Sequence, residues 1–433
     1  MHIGKRIAKL RRAQQLSLID LADEHLSKNE LFLIEAGHHL PRQAVLEDLA
    51  RKLNVPAHYL LRFDQENALL MKQLRQLHLE LDEGRVQKAE VLLKEIDQTY
   101  PYISSVEQEL YFLLLKNYLY IHTKEASLAV KFFDEQIAPL VDGTTATQWP
   151  CSPSIVNLYY FVQGRILQYM YRYEESNRFF YKLLEQPLDE RQQARVLYNI
   201  ARNYYFLNDF DQANTYGYNA LPLALKHHIW SLVTQTYILI GMISRKLKDY
   251  ETAEEFYKRA LELTELHEMV EFQTYVLNNL GSLCHDQEKY RESLTYFQKG
   301  LYLSKYIANP QLIISYYNVL ETFLLLNEYE EFNWLMDEAK ENCKDEKDRY
   351  LLQILEAKKF HQAGDIKMYE MLMEKCINYF ARKNMLSYIL DEIEQLADHF
   401  AKQKNHAKAK HYTMLLHNAT HSVGAHQDTM PQP

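Results

Sequence analysis

Two arginines each stand directly after a small residue, in Gly164-Arg165 and Ala201-Arg202. Other polar residues fall into step with a set of small or apolar landmarks, Gly164, Ala201, Gly241, Gly281 and Leu320. Gln168, Tyr205, Arg245 and His285 come four places after a landmark. Tyr198, Asn278 and Tyr317 come three before one, and Arg195, Gln235 and Tyr275 six before. Asn199, Asn279 and Asn318 make a neighbouring column. Steps of three and four place side chains on one face of a helix. An arginine there can hold a carboxylate with two parallel hydrogen bonds. An amide can pair with both the N–H and the C=O of an extended backbone without reading its side chains. A tyrosine adds an apolar wall with a polar tip. The set suits a short extended peptide with an acidic group or a free C-terminus. The blander alternative is a solvated groove whose arginines pair with local acids.

Such columns need helices repeated in register, and the sequence carries that register. Ala201, Gly241 and Gly281 recur every 40 residues. Phe210, Tyr250 and Tyr290 follow them, then Ala213, Ala253 and Ser293, then Ala220, Ala260 and Gly300. The small residue lets a second helix approach, the aromatic fills the gap at the turn, and the later small residues admit the next pair. The turns before the aromatics are polar: Asn208-Asp209, Lys248-Asp249 and Glu288-Lys289. Helix pairs that cannot bury both faces alone must stack. Gly164, Tyr173, Ser176 and Phe180 give a copy upstream; Leu320, Tyr329, Phe332 and Ala339 give one downstream. Ala357 with Cys376 and Ala397 with Ala409 extend the series, for seven copies; Ala89 and Ala129 mark two more candidates. Pro222 inside a second helix is expected to kink or break it.

Gly and Pro are scarce, 11 each in 433 residues, which favours an all-α chain. The four cysteines, Cys151, Cys284, Cys343 and Cys376, have no paired spacing, so neither a zinc site nor a disulfide framework is expected, and the setting reads as reducing and cytoplasmic. No apolar run is long enough to span a membrane and no signal-peptide core opens the chain. There is no phosphate-binding glycine loop, zinc-protease motif or nucleophile elbow, and the histidines are scattered. The expectation is no catalysis, no metal and no cofactor.

Residues 1–63 differ in charge: ten Lys or Arg against seven Asp or Glu, so +3, with −12 on the remainder. A basic head on an acidic body is suited to meeting an anion. Its pattern is a bundle of short helices. Ile3, Ile7 and Leu10 share a face; Ser17 caps a helix carrying Leu21 and Ala22; Ser27 caps one carrying Leu31 and Ile34 that Gly37 closes; Pro41 precedes a fourth with Val45, Leu46, Leu49 and Leu53. Beyond it, Leu69, Leu70, Gln73, Leu74, Leu77 and Leu81 form one stripe and Val86–Ile96 another. Val141–Pro153 reads as a loop. The expected divisions are a head at 1–63, linker helices and irregular repeats at 64–150, a repeat domain at 151–420 and a disordered tail at 421–433.

Gly4-Lys5-Arg6-Ile7, Leu10-Arg11, Leu16-Ser17, Leu21-Ala22, Ser27, Ile34-Glu35-Ala36-Gly37, Pro41 and Leu49-Ala50-Leu53 together resemble the Xre-type helix-turn-helix of phage repressors. The repeats resemble the tetratricopeptide repeat, lengthened from its usual 34 residues to about 40. In the helix-turn-helix family the third helix enters the major groove. The resemblance therefore implies that Lys28, Asn29 and Glu30 face base edges and that Ser17, Ser27 and Arg42 approach phosphates. Leu18 stands where that family often has Gln, and Glu24-His25-Leu26-Ser27 makes a turn about one residue short and without the usual Gly. A head kept for packing or dimerisation thus remains open.

The combination resembles the Rap, Rgg, Npr, Plc and Prg family of peptide-responsive quorum-sensing regulators; its length and repeat count resemble the Npr type. The resemblance implies an N-terminal helix-turn-helix followed by a right-handed superhelical repeat array. It also implies a short signalling peptide in the concave groove at Arg165, Gln168, Tyr198, Asn199, Arg202, Gln235, Arg245, Tyr275, Asn278, Asn279 and Asn318. Further implications are binding to double-stranded DNA and a homodimer or higher oligomer. The alternative is a phosphorelay modulator whose array binds a response regulator protein, with the head secondary.

Overall fold

The computed structural model describes residues 2–123, 125–141, 151–307, 309, 312–383 and 385–422. Most of the expected Val141–Pro153 loop and nearly all of the expected tail lie outside the described residues. Among the described residues every regular element is a helix. The chain divides into two compact units that meet between Pro187 and Leu188.

The first unit opens with five short helices: α1 (Ile3–Ala13), α2 (Leu18–Leu21), α3 (Lys28–Ala36), α4 (Gln43–Lys52) and α5 (Ala57–Leu61). Ile3, Ile7, Leu21, Leu31, Ile34, Leu46, Leu49 and Leu53 form their core. Ser17 closes a capping box with Asp20, and Ser27 accepts from the Glu30 N–H, so both hydroxyls serve orphan amides of a first turn. The turn after α2 is short because Asp23 builds it: its Oδ1 accepts from the N–H groups of His25 and Leu26, at 2.7 and 2.9 Å. Gly37 ends α3 in the left-handed region, at φ +83°. Gly4 is needed where α1 crosses α3, since a Cβ there would stand 1.8 Å from the Ile34 carbonyl oxygen.

Three further helix elements pair off in this unit. α6 (Ala68–Asp82) packs with α7 (Val86–Thr99); α8 (Val106–His122) packs with α9 (Ala126–Phe132) and the π-turn after it, which leads into α10 (Ala138–Val141) against α1; α11 (Pro153–Tyr169) packs with α12 (Tyr173–Leu184). Ala89 and Ala129 are fully buried on their helices. Leu69 departs from its expected stripe: Leu70, Leu74, Leu77 and Leu81 fill the buried face of α6, and Leu69, about 100° away around the helix, is left 63 % exposed. The head's core runs on into α8 through Val106.

The second unit holds six pairs: α13 (Glu190–Phe206) with α14 (Phe210–Lys226), α15 (Trp230–Lys246) with α16 (Tyr250–Leu266), α17 (Val270–Asp286) with α18 (Tyr290–Tyr306), α19 (Leu312–Leu325) with α20 (Tyr329–Glu341), α21 (Glu346–Gln362) with α22 (Ile366–Arg382), and α23 (Leu390–Lys402) with α24 (His406–Ser422). The first six are each 17 residues long. The first helix of each of those three pairs ends against a left-handed residue, Asn208, Lys248 or Glu288, at φ 58–63°.

The ring that meets each small landmark lies sixteen residues on, deeper than the aromatic at the turn. A Cβ on Gly241 would stand 2.5 Å from Tyr257, and one on Gly281 2.5 Å from Phe297; Gly164 faces Phe180 likewise. In the pair α13–α14 the sizes are exchanged: Ala201 meets Gly217. Phe210, Tyr250 and Tyr290 are half-buried at the turns. Pro222 does not break α14, which runs unbroken to Lys226. Pro222 is exposed and Tyr218, whose carbonyl it frees, is 45 % exposed, so water can take the lost hydrogen bond.

Candidate functional site

The first helices of the repeats bury an unusual amount of polarity. In the second unit Tyr198, Asn199, Arg202, Asn203, Gln235, Tyr275 and Asn279 are all under a tenth exposed, and in the first unit Arg165 and Gln168 are as well. Buried polar groups are normally paired, because an unmet donor or acceptor costs about 1–3 kcal/mol. Their partners therefore decide what each residue is free to do.

Several are spent within the fold. Asn199 Nδ2 donates to the Arg195 carbonyl at 2.8 Å and Asn279 Nδ2 to the Tyr275 carbonyl at 2.9 Å, each one turn back on its own helix. Arg245 makes a fork to Asp286, with Nε to Oδ2 at 2.6 Å and an Nη to Oδ1 at 3.0 Å, bridging α15 and α17. Burial works against the Arg245 charge, but Asp286 outweighs it and the proton is held more tightly than usual. The Asn278 side chain turns to its partner helix: its Oδ1 would stand 3.0 Å from a Cβ on Gly300. Asn318 and Tyr317 are half-buried on α19. Arg165 lies 5.8 Å from the Tyr169 ring centre.

Arg202 is different. It is 4 % exposed, and its guanidinium carbon sits 5.4 Å from the centre of the Phe206 ring, one turn on. No carboxylate and no hydrogen bond meets it among the described residues, and its Nε is buried without a partner. A π-face offsets little of a guanidinium's desolvation, about 0.5–2 kcal/mol. An anion that entered here would meet an uncommitted, preformed fork.

The column that contains Arg202 goes on into the later repeats, where sequence reading had stopped. Glu321 follows Leu320 and Lys358 follows Ala357 at the same offset. Lys358 Nζ donates to Glu321 at 2.5 Å, to Glu392 at 3.0 Å and to the Tyr317 hydroxyl at 3.1 Å; that hydroxyl donates to Glu392 at 2.8 Å. Burial opposes the Lys358 charge, yet Tyr317, Glu321 and Glu392 raise its pKa well above the usual lysine value. Burial likewise opposes the Glu392 charge, and Lys358 pulls its pKa down regardless. Applying the Arg202 offset to the weaker copies would have found both members of the column.

In the head, Ser17, Ser27, Lys28, Asn29 and Arg42 are exposed, and Glu30 is half-buried at the border of α3. Lys28 and Asn29 have no hydrogen bond or ion pair among the described residues. Arg6 and Arg11, members of the basic N-terminus, are committed inward. Arg11 forks onto Glu35 at 2.7 and 2.8 Å. Arg6 is wholly buried: it donates to Glu109 and to the carbonyls of Tyr59, Ile103 and Ser104, and lies over the Tyr59 ring at 4.2 Å. Arg6 shares the helix face of Ile3, Ile7 and Leu10, at the three-and-four spacing of an interior position.

The described residues contain no group of His, Cys, Asp and Glu arranged to hold a metal ion, and no helix long and apolar enough to cross a membrane. A tetratricopeptide-repeat family model matches residues 234–265 and 274–306, the spans of α15–α16 and α17–α18. Over 414 residues the chain is 22 % identical to the transcriptional activator NprA of Geobacillus stearothermophilus, covering 91 % of this chain and 97 % of that one. The apo quorum sensor NprR from B. thuringiensis superposes with a TM-score of 0.64 at 20 % identity, over 81 % of this chain and 98 % of that one. NprR with its cognate peptide NprX gives 0.57 at 20 % identity over the same shares. A Rap protein complexed with Competence and Sporulation Factor gives 0.64 at 16 % identity, over 82 % and 98 %. The chain thus carries tetratricopeptide repeats over residues 234–265 and 274–306, is similar in sequence to the activator NprA over most of its length, and has the fold seen in NprR and a Rap protein.

Proposed function

We propose that the chain is a transcription regulator whose hold on DNA is set by a short peptide lying along the first helices of its repeats. The observation that carries this reading is Arg202, a buried guanidinium with no anion of its own. An activator among its relatives and the NprX complex of NprR support it. In this reading Arg202 takes the peptide's terminal carboxylate or an acidic side chain. Tyr198, Gln235 and Tyr275 line its course, with Asn199, Arg245, Asn278, Asn279 and Asn318 as the wider wall. The head, through Ser17, Ser27, Lys28, Asn29, Glu30 and Arg42, meets DNA. Two copies bind half-sites one helical turn apart, so a small change in the arrays alters the match. The peptide shifts that balance only by binding one state better.

A second reading follows from α2, reduced to a single turn, and from the −12 charge outside the head. Here the array binds a response regulator protein and the head is secondary. Calorimetry with short peptides separates the two. Under the first reading, amidating a bound peptide's C-terminus and replacing Arg202 with Met weaken binding by the same factor, and together by no more than either alone. Peptide affinity indifferent to both changes would remove Arg202 from the site.

A further inference from the structure

We propose that the outward face of α3 reads an A·T-rich half-site, with Asn29 pairing to an adenine and Phe32 resting on a thymine methyl group. This rests on the DNA-binding reading above and names the sequence class that reading leaves open.

α3 buries Leu31, Ile34 and Glu35 and turns Lys28, Asn29, Phe32, Leu33 and Ala36 outward. Asn29, Phe32 and Ala36 follow one another by three and four, so they form the centre of that face, with Lys28 and Leu33 on its flanks. Phe32 is 58 % exposed, a large ring held in water while the head's core is complete without it. Asn29 has an amide committed to nothing among the described residues.

The major groove offers each base pair its own pattern. Adenine shows the N7 acceptor beside the N6 donor, which one amide satisfies with both of its ends. Thymine alone carries a methyl group, which an apolar side chain recognises. Guanine is commonly read by a pronged cation, and the centre of this face has none. Asn29 and the ring one turn later therefore fit an adenine and a nearby thymine. A protein partner would also cover the ring, and Ile19 and Leu40 are exposed on the head too. DNA is favoured because the free amide stands in the first turn of a helix capped by Ser27, on the basic part of the chain.

The test uses the full chain and a randomised duplex pool at low salt, where phosphate contacts hold the complex. The enriched site is then rebuilt with deoxyuridine in place of single thymidines. Enrichment of A·T pairs is expected, with one thymidine whose methyl loss costs about fourfold in affinity, as for one buried carbon. Phe32→Ala should bind the two duplexes alike, and Asn29→Ala should lose about tenfold of its preference for adenine at one position. Both residues are exposed, so neither change threatens the fold. A G·C-rich enriched site, or equal binding of thymidine and deoxyuridine duplexes by the unmodified chain, would overturn this assignment while leaving DNA binding intact. No enriched sequence, with self-association lost in Phe32→Ala, would overturn the DNA-binding reading itself and give the face to a second copy.

Discussion

Arg6 on α1 and Glu109 on α8, 103 residues apart in sequence, form an ion pair at 2.7 Å with side chains 1 % and 13 % exposed. The Tyr59 hydroxyl donates to the same carboxylate at 2.5 Å. The head is therefore bolted to α8, and a displacement of that helix is a displacement of the head. Removing one member of a buried pair leaves the other charge uncompensated, at about 3–5 kcal/mol. Arg6→Ala should lose that much in urea unfolding, and Glu109→Gln, which keeps a hydrogen-bonding side chain, less. Equal stability of Arg6→Ala and the parent would show that the socket contributes nothing.

The glycines of the array should differ sharply in what they tolerate. Gly241→Ala drives a Cβ to 2.5 Å from the Tyr257 ring and should cost about 1–3 kcal/mol, as overpacking does. Gly217→Ala meets nothing closer than Ile240 at 3.6 Å and should gain about 0.5–1 kcal/mol from helix propensity. Thermal unfolding of the two single variants reads the contrast directly.

Arg202 separates binding from stability. Arg202→Met removes a buried charge with no partner, so the free protein should be as stable as before or more so. Its peptide affinity should fall by about 1.5–3 kcal/mol, the worth of a hydrogen bond to a charged group. A variant that loses stability and affinity together would mean that Arg202 is a structural member of the fold.

Acid should remove the contribution of particular carboxylates. Lys52 and the His25 N–H hold Asp23 down, from 3.8 to about 2. A depressed carboxylate contributes stability above its unfolded pKa and loses it as pH falls through the folded value. The Asp23 contribution is thus complete above about pH 4 and gone below about 2. Asp23→Asn should unfold more easily than the parent at neutral pH, and the two stability curves should converge in strong acid. The Lys358 cluster has limits on both sides: the lowered Glu392 gives way in acid, and the raised Lys358 keeps its contribution until pH climbs past the lysine range.

Much of the repeat array was legible because packing forces a period. A small residue must recur where paired helices close on each other, and the 40-residue spacing of Ala201, which meets Gly217, and of Gly241 and Gly281, which meet rings, is that requirement written out. The caps at Ser17 and Ser27 and the stop at Gly37 were legible for a similar reason, since local backbone geometry admits few residue types there. Helix α5 was missed, being five residues between Pro56 and a turn at Arg62. The partners of the site residues were not legible at all. Arg202 and Arg245 occupy equivalent faces, and only coordinates show that Asp286 serves one and nothing serves the other. Arg6 falls on the apolar face of Ile3, Ile7 and Leu10, but Glu109, the partner that lets a cation sit there, is visible only once α8 is placed beside it.

The exchanged pair of Ala201 with Gly217 carries a consequence for how such arrays grow and shrink. Each large-on-small fit closes inside one hairpin: Ala201 with Gly217, Gly241 with Tyr257, Gly281 with Phe297. A crossover within a hairpin would set Ala201 against a ring and jam it. A cut near His228 and Glu268, in the connectors between hairpins, would remove or add a whole 40-residue cassette with these in-hairpin fits intact, leaving contacts to the next hairpin, such as Gly217 beside Ile240, to readjust. A unit removed or added by design should therefore be cut at those joints.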